Sequence, residues 1–133
     1  MKRLIKVAFS YAFGMRYHLV WLYRLARFLR FKIPFVGPQL SVAVCHFMHV
    51  YTSCYISPLS NIASGVSFPH PSGIVIGDGV RIASGCKIWQ QVTIGSHGKI
   101  GKEAEYPVIG NNVRIYAKAS IIGSVEVGRG AII

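Results

Sequence analysis

The chain has 133 residues, 52% of them apolar, with fifteen Lys and Arg against four acidic residues. This length bounds it to one structural unit, or a small repeat array with a short preface. No apolar run reaches the length of a spanning helix, because the nearest, residues 33–50, is broken by Pro34, Gly37 and Pro38 and carries His46 and His49.

Residues 1–53 read as a basic, amphipathic helical preface. Met1-Lys2-Arg3 before an apolar stretch mimics a signal peptide, but Arg16 and Arg24 follow closely and no small-residue cleavage site appears, which rejects that reading. A first short helix is expected over residues 4–13, ending near Gly14. In the next, Leu19, Trp21, Leu22, Leu25, Ala26, Phe28 and Leu29 gather on one side at about 100° per residue. Arg16, Arg24, Arg27 and Arg30 gather on the other, and Pro34 ends the helix. Gly37-Pro38 opens a third helix over about residues 39–51. The first acid of the chain is Asp78, so residues 1–77 carry basic groups and no carboxylate. Two compatible roles follow: a cap on the open end of what comes next, or an arginine face laid against an anionic membrane.

From Ile56 onward the chain repeats every six residues. Apolar anchors fall at Ile56, Ile62, Phe68, Ile76, Ile82, Ile88, Ile94, Ile109, Ile115, Ile121, Val127 and Ile133. Four places after an anchor comes a second small or apolar residue: Val66, Val80, Cys86, Val92, Val113, Ala119, Val125 or Ala131. A period of six fits neither a helix nor a plain strand alternation. It belongs to hexapeptide solenoids, in which three hexapeptides close a triangular coil and each anchor stacks on the one a coil away. About four such coils are expected over residues 56–133, every strand pairing in parallel with the strand a coil later. The pattern resembles the left-handed parallel β-helix family, and that resemblance supplies the hand, since parallel crossovers are otherwise right-handed. Cys45, Cys54 and Cys86 show no paired metal spacing, and an odd count opposes a disulfide framework. They point to a reduced, cytoplasmic protein.

The count of six breaks twice. A two-residue insertion lies near His70, and a longer one over residues 96–107 carries His97, Lys99, Lys102 and Tyr106. Insertions in a solenoid stand on its outside, where function is built. His70 lies between Pro69 and Pro71, so its backbone is stiff, and an imidazole that accepts a proton near neutral pH suits a general base. His97, beside Ser96 and Gly98, reads as a solvent-exposed loop residue. His70 and His97 are too few for a zinc hydratase on the same solenoid, which needs three histidines, and no metal is expected. Nucleic acid is disfavoured, because no reading motif accompanies the basic residues.

The stretch from Tyr55 to Ile132 resembles the bacterial serine acetyltransferases and their relatives that O-acetylate sugars of exported polysaccharides. The matching text is Ile56-Ser57-Pro58, His70-Pro71-Ser72-Gly73-Ile74-Val75-Ile76-Gly77, Gln91-Val92-Thr93-Ile94-Gly95, and Ile122-Gly123-Ser124-Val125-Glu126-Val127-Gly128-Arg129-Gly130-Ala131. The segment from His70 to Gly77 is the specific part. Tyr23-Arg24-Leu25-Ala26 looks like the preface of the relatives that do not act on serine. The resemblance implies acetyl transfer from acetyl-CoA to a hydroxyl, with His70 as catalytic base. It places Gly95 and Ser96 along the CoA arm, and the backbone of Ala117 against pantetheine. It also implies a homotrimer with active sites between subunits.

Two departures shape the acceptor expected. Tyr55 stands where the serine enzymes carry an aspartate, and Tyr106 about where they carry a second histidine. This favours a neutral acceptor, a free or lipid-linked sugar of polysaccharide biosynthesis, stacked on Trp89, Tyr106 or Tyr55. Serine O-acetylation and a non-catalytic scaffold are the alternatives. Residues 54–133 are thus expected to form a mainly β acyltransferase domain, a left-handed β-helix cut short at Ile133, where relatives continue and Ile132 replaces a common basic residue. The whole is expected to be cytoplasmic, with peripheral contact at the inner face of the membrane.

Overall fold

The computed structural model describes residues 15–98 and 105–133. The helix expected over residues 4–13, and Lys99 and Lys102, lie outside the described residues. Two helices come first, α1 (Met15–Lys32) and α2 (Gly37–Thr52). Pro34 separates them, and α2 begins at Gly37 rather than 39, with Pro38 in its first turn where a missing N–H is harmless. The hairpin is tight, since a Cβ on Gly37 would collide with the Leu29 carbonyl oxygen. The Ser41 hydroxyl donates to the Ala26 carbonyl at 2.8 Å, tying α2 to α1.

The inward face of α1 is Leu19, Leu22, Tyr23 and Ala26, all buried. Trp21 and Phe28, expected on the packed side, point outward, with Trp21 62% exposed. At about 100° per residue they fall opposite Leu19 and Ala26, and Tyr23 takes the inner position instead. The arginines also divide. Arg24 is exposed, whereas Arg27 turns toward the solenoid and donates to the carbonyls of Pro58, at 2.9 Å, and Ser60. The Tyr23 hydroxyl donates to the Ser60 carbonyl at 3.0 Å and accepts from the Ile62 N–H at 3.3 Å. The lowest coil has no coil beneath it, so α1 supplies partners for backbone groups that would otherwise be left unpaired.

Ten short strands follow: β1 (Tyr55–Ile56), β2 (Asn61–Ile62), β3 (Val75–Ile76), β4 (Arg81–Ile82), β5 (Lys87–Ile88), β6 (Thr93–Gly95), β7 (Val108–Ile109), β8 (Arg114–Ile115), β9 (Ser120–Ile122) and β10 (Glu126–Val127). They stack into three faces, all with parallel pairing. Face one is β1-β3-β6-β9, face two is β2-β4-β7-β10, and face three is β5-β8. Bridges from Ser67 to Lys87 and from Arg114 to Ile132 extend face three by a rung at each end. The result is a left-handed parallel β-helix of four coils, behind two helices.

Register follows the hexapeptide count. Val75 pairs with Thr93, eighteen residues on; Tyr55 pairs with Val75 across twenty, and Thr93 with Ser120 across twenty-seven. The extra two and nine residues leave the ladder at corners and do not disturb it. Where face two turns into face three, Gly65, Gly85, Asn112 and Gly130 all adopt positive φ, one in each coil. Asn is the side chain that tolerates this left-handed backbone most readily after glycine.

Ten of the twelve anchors are buried: Ile56, Phe68, Ile76, Ile82, Ile88, Ile94, Ile109, Ile115, Ile121 and Val127. Ile62, on the lowest rung, is half-buried, and Ile133, on the highest, is 43% exposed. Val125 is also exposed, because its N–H folds back onto the Gly123 carbonyl at 2.9 Å and swings it outward. Each fully covered anchor contributes roughly 1.5–3 kcal/mol. Replacing Ile115 with Asp should therefore abolish the cooperative thermal transition seen by circular dichroism, since an unpaired buried carboxylate is very costly. Ile133→Asp should leave the transition within a few degrees of the parent. Equal tolerance at both positions would refute the inward stacking.

Candidate active site

Both breaks in the repeat flank face one. The chain enters that face through residues 69–73, 89–91 and 116–118, one turn above another, and leaves it through 77–79, 96–98 and 123–125. The entry edge holds His70, and the long insertion departs from the exit edge after Ser96.

His70 is exposed, between half-buried Pro69 and buried Pro71. Its turn is pinned on both sides. The Gly73 N–H donates to the Ser53 carbonyl below at 3.1 Å, and the Gln91 N–H donates to the Ser72 carbonyl from above at 2.8 Å. Gln91 and Lys118 continue the edge with positive φ of 59° and 69°. The Lys118 N–H donates to the Gln90 carbonyl at 3.2 Å, which ties these two turns together. Ala117 lies on this edge, exposed. Trp89 and Tyr116, on successive turns, stack with centroids 4.5 Å apart and planes 28° from parallel. Trp89 therefore has one face already covered. The Gln90 side-chain oxygen is buried without a partner among the described residues.

Gly95 and Ser96 are half-buried on the exit edge. The Gly95 carbonyl accepts from the Gly123 N–H at 2.9 Å. A Cβ on Gly95 would meet nothing within 4 Å, so the backbone here borders open space. His97 is exposed, as expected, beside Gly123. Tyr106 is no free stacking platform: its ring lies on Gly79 and Gly77, where any side chain at Gly79 would collide with it. The residues expected to act together thus divide, with His70 and Ala117 on one edge of face one and Gly95 and Ser96 on the other.

At the foot of face one, a cavity of about 400 Å³ opens between α1, α2 and the first two coils. Arg30, His46, His49, Tyr55 and Asp78 line it, with Cys45 and Ser41 behind them. The Tyr55 phenol is pushed above its usual pKa, first by burial and then by the Asp78 carboxylate and Cys45, so it stays a hydrogen-bond donor. Burial also pushes up the Cys45 thiol, against the opposing pull of Ser41. The sequence reading missed this cluster. Its signals were Asp78, the first acid after a long basic stretch, and two histidines nearly one helical turn apart, but only the fold brings them together. Among the described residues, no three His, Cys, Asp or Glu side chains gather as a metal site. No described helix is long and apolar enough to cross a membrane.

No protein-family model matches the chain. It is 36% identical over 114 residues to the serine acetyltransferase of Buchnera aphidicola subsp. Schizaphis graminum, covering 86% of this chain and 42% of that protein. A truncated serine acetyltransferase apoenzyme superposes with a TM-score of 0.84 at 29% identity, covering 92% of this chain and 50% of that one. A serine acetyltransferase in complex with CoA superposes with a TM-score of 0.77 at 28% identity, covering 87% and 46% respectively. The chain spans half the length, or less, of these proteins.

These likenesses overturn the expectation of a polysaccharide sugar as acceptor, because the similar proteins are serine acetyltransferases. The expectation weighed Tyr55 and Tyr106 as losses of charge. In the folded chain Tyr55 lines one cavity with ionisable groups drawn from elsewhere, namely Arg30, His46, His49 and Asp78.

The seat of Tyr106 is open to a direct check. Gly79→Ala should displace the ring and cost about 1–3 kcal/mol, the usual penalty of overpacking. Adding Gly79→Ala to Tyr106→Ala should cost almost nothing, because the collision is gone. Additive losses in chemical denaturation would show that the ring does not rest on Gly79.

Proposed function

We propose that this chain carries the acetyl-transfer face of an acetyl-CoA-dependent serine O-acetyltransferase. The observation that carries the reading is its likeness to serine acetyltransferases over 92% of its length in one case, and over 87% in one solved with CoA. Two features of the site support it. A histidine on a pinned turn stands in solvent at a break in the repeat. A cavity on the same face offers the mixed charges that a zwitterion needs: Asp78 for an ammonium, and Arg30 with His46 and His49 for a carboxylate.

In this reading His70 takes the proton of the acceptor hydroxyl as its oxygen attacks the thioester carbonyl. The N–H groups at Gly95 and Ser96 lie along the CoA arm and face the charge that develops on the carbonyl oxygen. The imidazolium returns its proton to the departing thiolate, so the base is regenerated and no proton is lost. Ala117 offers its backbone to the pantetheine arm. Because His70 and Ala117 stand on the entry edge and Gly95 and Ser96 on the exit edge, a substrate touching all four lies between neighbouring copies. A homotrimer supplies that arrangement.

With L-serine and acetyl-CoA, His70→Ala should lower kcat at least about a hundredfold, the ordinary worth of general-base catalysis, and leave the Kd for CoA unchanged. Full turnover in that variant would remove His70 from the mechanism. Absence of serine turnover by the parent protein, with CoA bound, would remove serine as the acceptor.

A second surface supports peripheral contact with an anionic membrane. Trp21, Phe28 and Phe31 are exposed on one side of α1, Phe35 beyond it is 90% exposed, and Arg24 and Lys32 stand among them. Exposed aromatics beside cations form the pattern of an interfacial helix. Each cation near such a surface contributes about 1 kcal/mol. The protein should pellet with phosphatidylserine vesicles at low salt, and Arg24→Glu with Lys32→Glu should release it. Parent protein left in the supernatant, or unchanged pelleting of the variant, would dismiss this contact.

A further inference from the structure

The outward ladder of face three reads Ser67, Lys87, Arg114, Ile132 from one coil to the next. Lys87 and Arg114 are direct neighbours in register, and both are exposed. Two residues past each, where face three turns into the entry edge, come Trp89 and Tyr116, whose rings stack. Lys118 follows Tyr116, exposed, on a backbone fixed by its bond to Gln90. Three cations therefore lie within two residues of a two-ring aromatic step. The acids among the described residues lie elsewhere: Asp78 and Glu105 on the exit edge, and Glu126 on face two. Within one copy, no described acid opposes this charge from face three or the entry edge.

A surface of this kind suits a ligand that joins a flat aromatic base to several phosphates. Cations alone would accept any polyanion, and an aromatic step alone any flat ring. Their combination on one edge selects a phosphorylated nucleoside, since base–aromatic stacking tolerates any base and the phosphates supply the anions. Acetyl-CoA presents such a group at the end remote from its thioester: an adenosine bearing a 3′-phosphate and a 5′-pyrophosphate. Its pantetheine arm carries neither feature. Ala117 lies between Tyr116 and Lys118 on the same edge, and His70 lies below Trp89. The thioester end and the nucleotide end would thus be served by one continuous edge.

We propose that Trp89, Tyr116, Lys87, Arg114 and Lys118 seat the 3′-phosphoadenosine diphosphate end of acetyl-CoA. The proposal rests on the acetyl-CoA reading above and adds to it the residues that select CoA over shorter thioesters. The step formed by Trp89 and Tyr116 takes the adenine on its open side. Lys87 and Arg114 pair with the 3′-phosphate, and Lys118 with the pyrophosphate.

Adenosine 3′,5′-bisphosphate tests the seat without the arm or the acetyl group. In Trp21→Phe protein Trp89 is the one tryptophan left, because the chain has two. Its fluorescence should be quenched saturably by the bisphosphate, and less so as salt is raised, since exposed charges are screened. Lys87→Glu with Arg114→Glu in that background should raise the apparent Kd at least tenfold, with an unchanged melting temperature as proof of folding. CoA should also bind more tightly than 3′-dephospho-CoA to the parent protein, and that preference should vanish in the charge-reversed variant. Absence of quenching, or equal Kd values before and after charge reversal, would overturn the seat. If the bisphosphate binds as expected while no acetyl reaches serine, the seat stands and the serine reading falls. If CoA binds tightly and the bisphosphate not at all, the reading stands and the seat falls.

Discussion

The parallel ladder between coils is the constraint on which the rest depends. A strand of two or three residues has almost no stability alone, and each is held by parallel pairing with its neighbour in an adjacent coil. All three faces must keep the same register at once, or every anchor beyond the slip would miss its stack. Added residues can therefore leave only at corners. The two-residue and nine-residue insertions do this, and pairing on either side continues as though they were absent. Core and chemistry are thereby separated in space. The inside holds stacked aliphatics that admit little change, and the edges hold whatever an insertion brings.

The same ladder creates a problem at its lower end, and the helices answer it. Tyr23 and Arg27 satisfy the carbonyls of Pro58 and Ser60 and the N–H of Ile62, which have no coil beneath them. This is why the amphipathic reading of α1 was right about the helix and wrong about its orientation. The periodicity of apolar residues is a local property and could be seen directly. Which of Trp21, Tyr23 and Phe28 faces inward depends on an acceptor nearly forty residues away, and hydrophobicity alone favoured the wrong two. A tyrosine that can deliver its hydroxyl to a waiting carbonyl wins over a larger apolar ring that cannot. Arg27 was misread for the same reason, since its charge resembled that of a surface residue until the solenoid offered it two carbonyls.

The candidate site shows the same division. The place of His70 at an edge was legible, because a break in a strict count of six marks where the chain leaves the ladder, and prolines on both sides mark a fixed turn. The functions attached to Gly95, Ser96 and Ala117 came from resemblance alone, and no local pattern sets them apart from other corner residues. The cavity at the foot of face one was not legible. Arg30, His46, His49 and Asp78 come from three separate segments, and none of these segments carries a site motif by itself. Tyr55 in isolation therefore reads as part of a neutral site, whereas the fold sets it in one cavity with Arg30, His46, His49 and Asp78.

A triangular coil also limits what one copy can do. Its edges are convex, and the two edges of face one point away from each other across the width of a strand and its turns. His70 stands on the entry edge and Gly95 at the exit end of β6, on opposite sides of face one. The proposed reaction engages both, and the exit edge of a neighbouring copy would bring them together. Contact between unlike edges is head-to-tail, and such contacts either close into a ring or run on as a filament. With three copies each turned by 120°, every entry edge meets one exit edge and none is left over. His70 is exposed on its own copy, which leaves it open to such a neighbour.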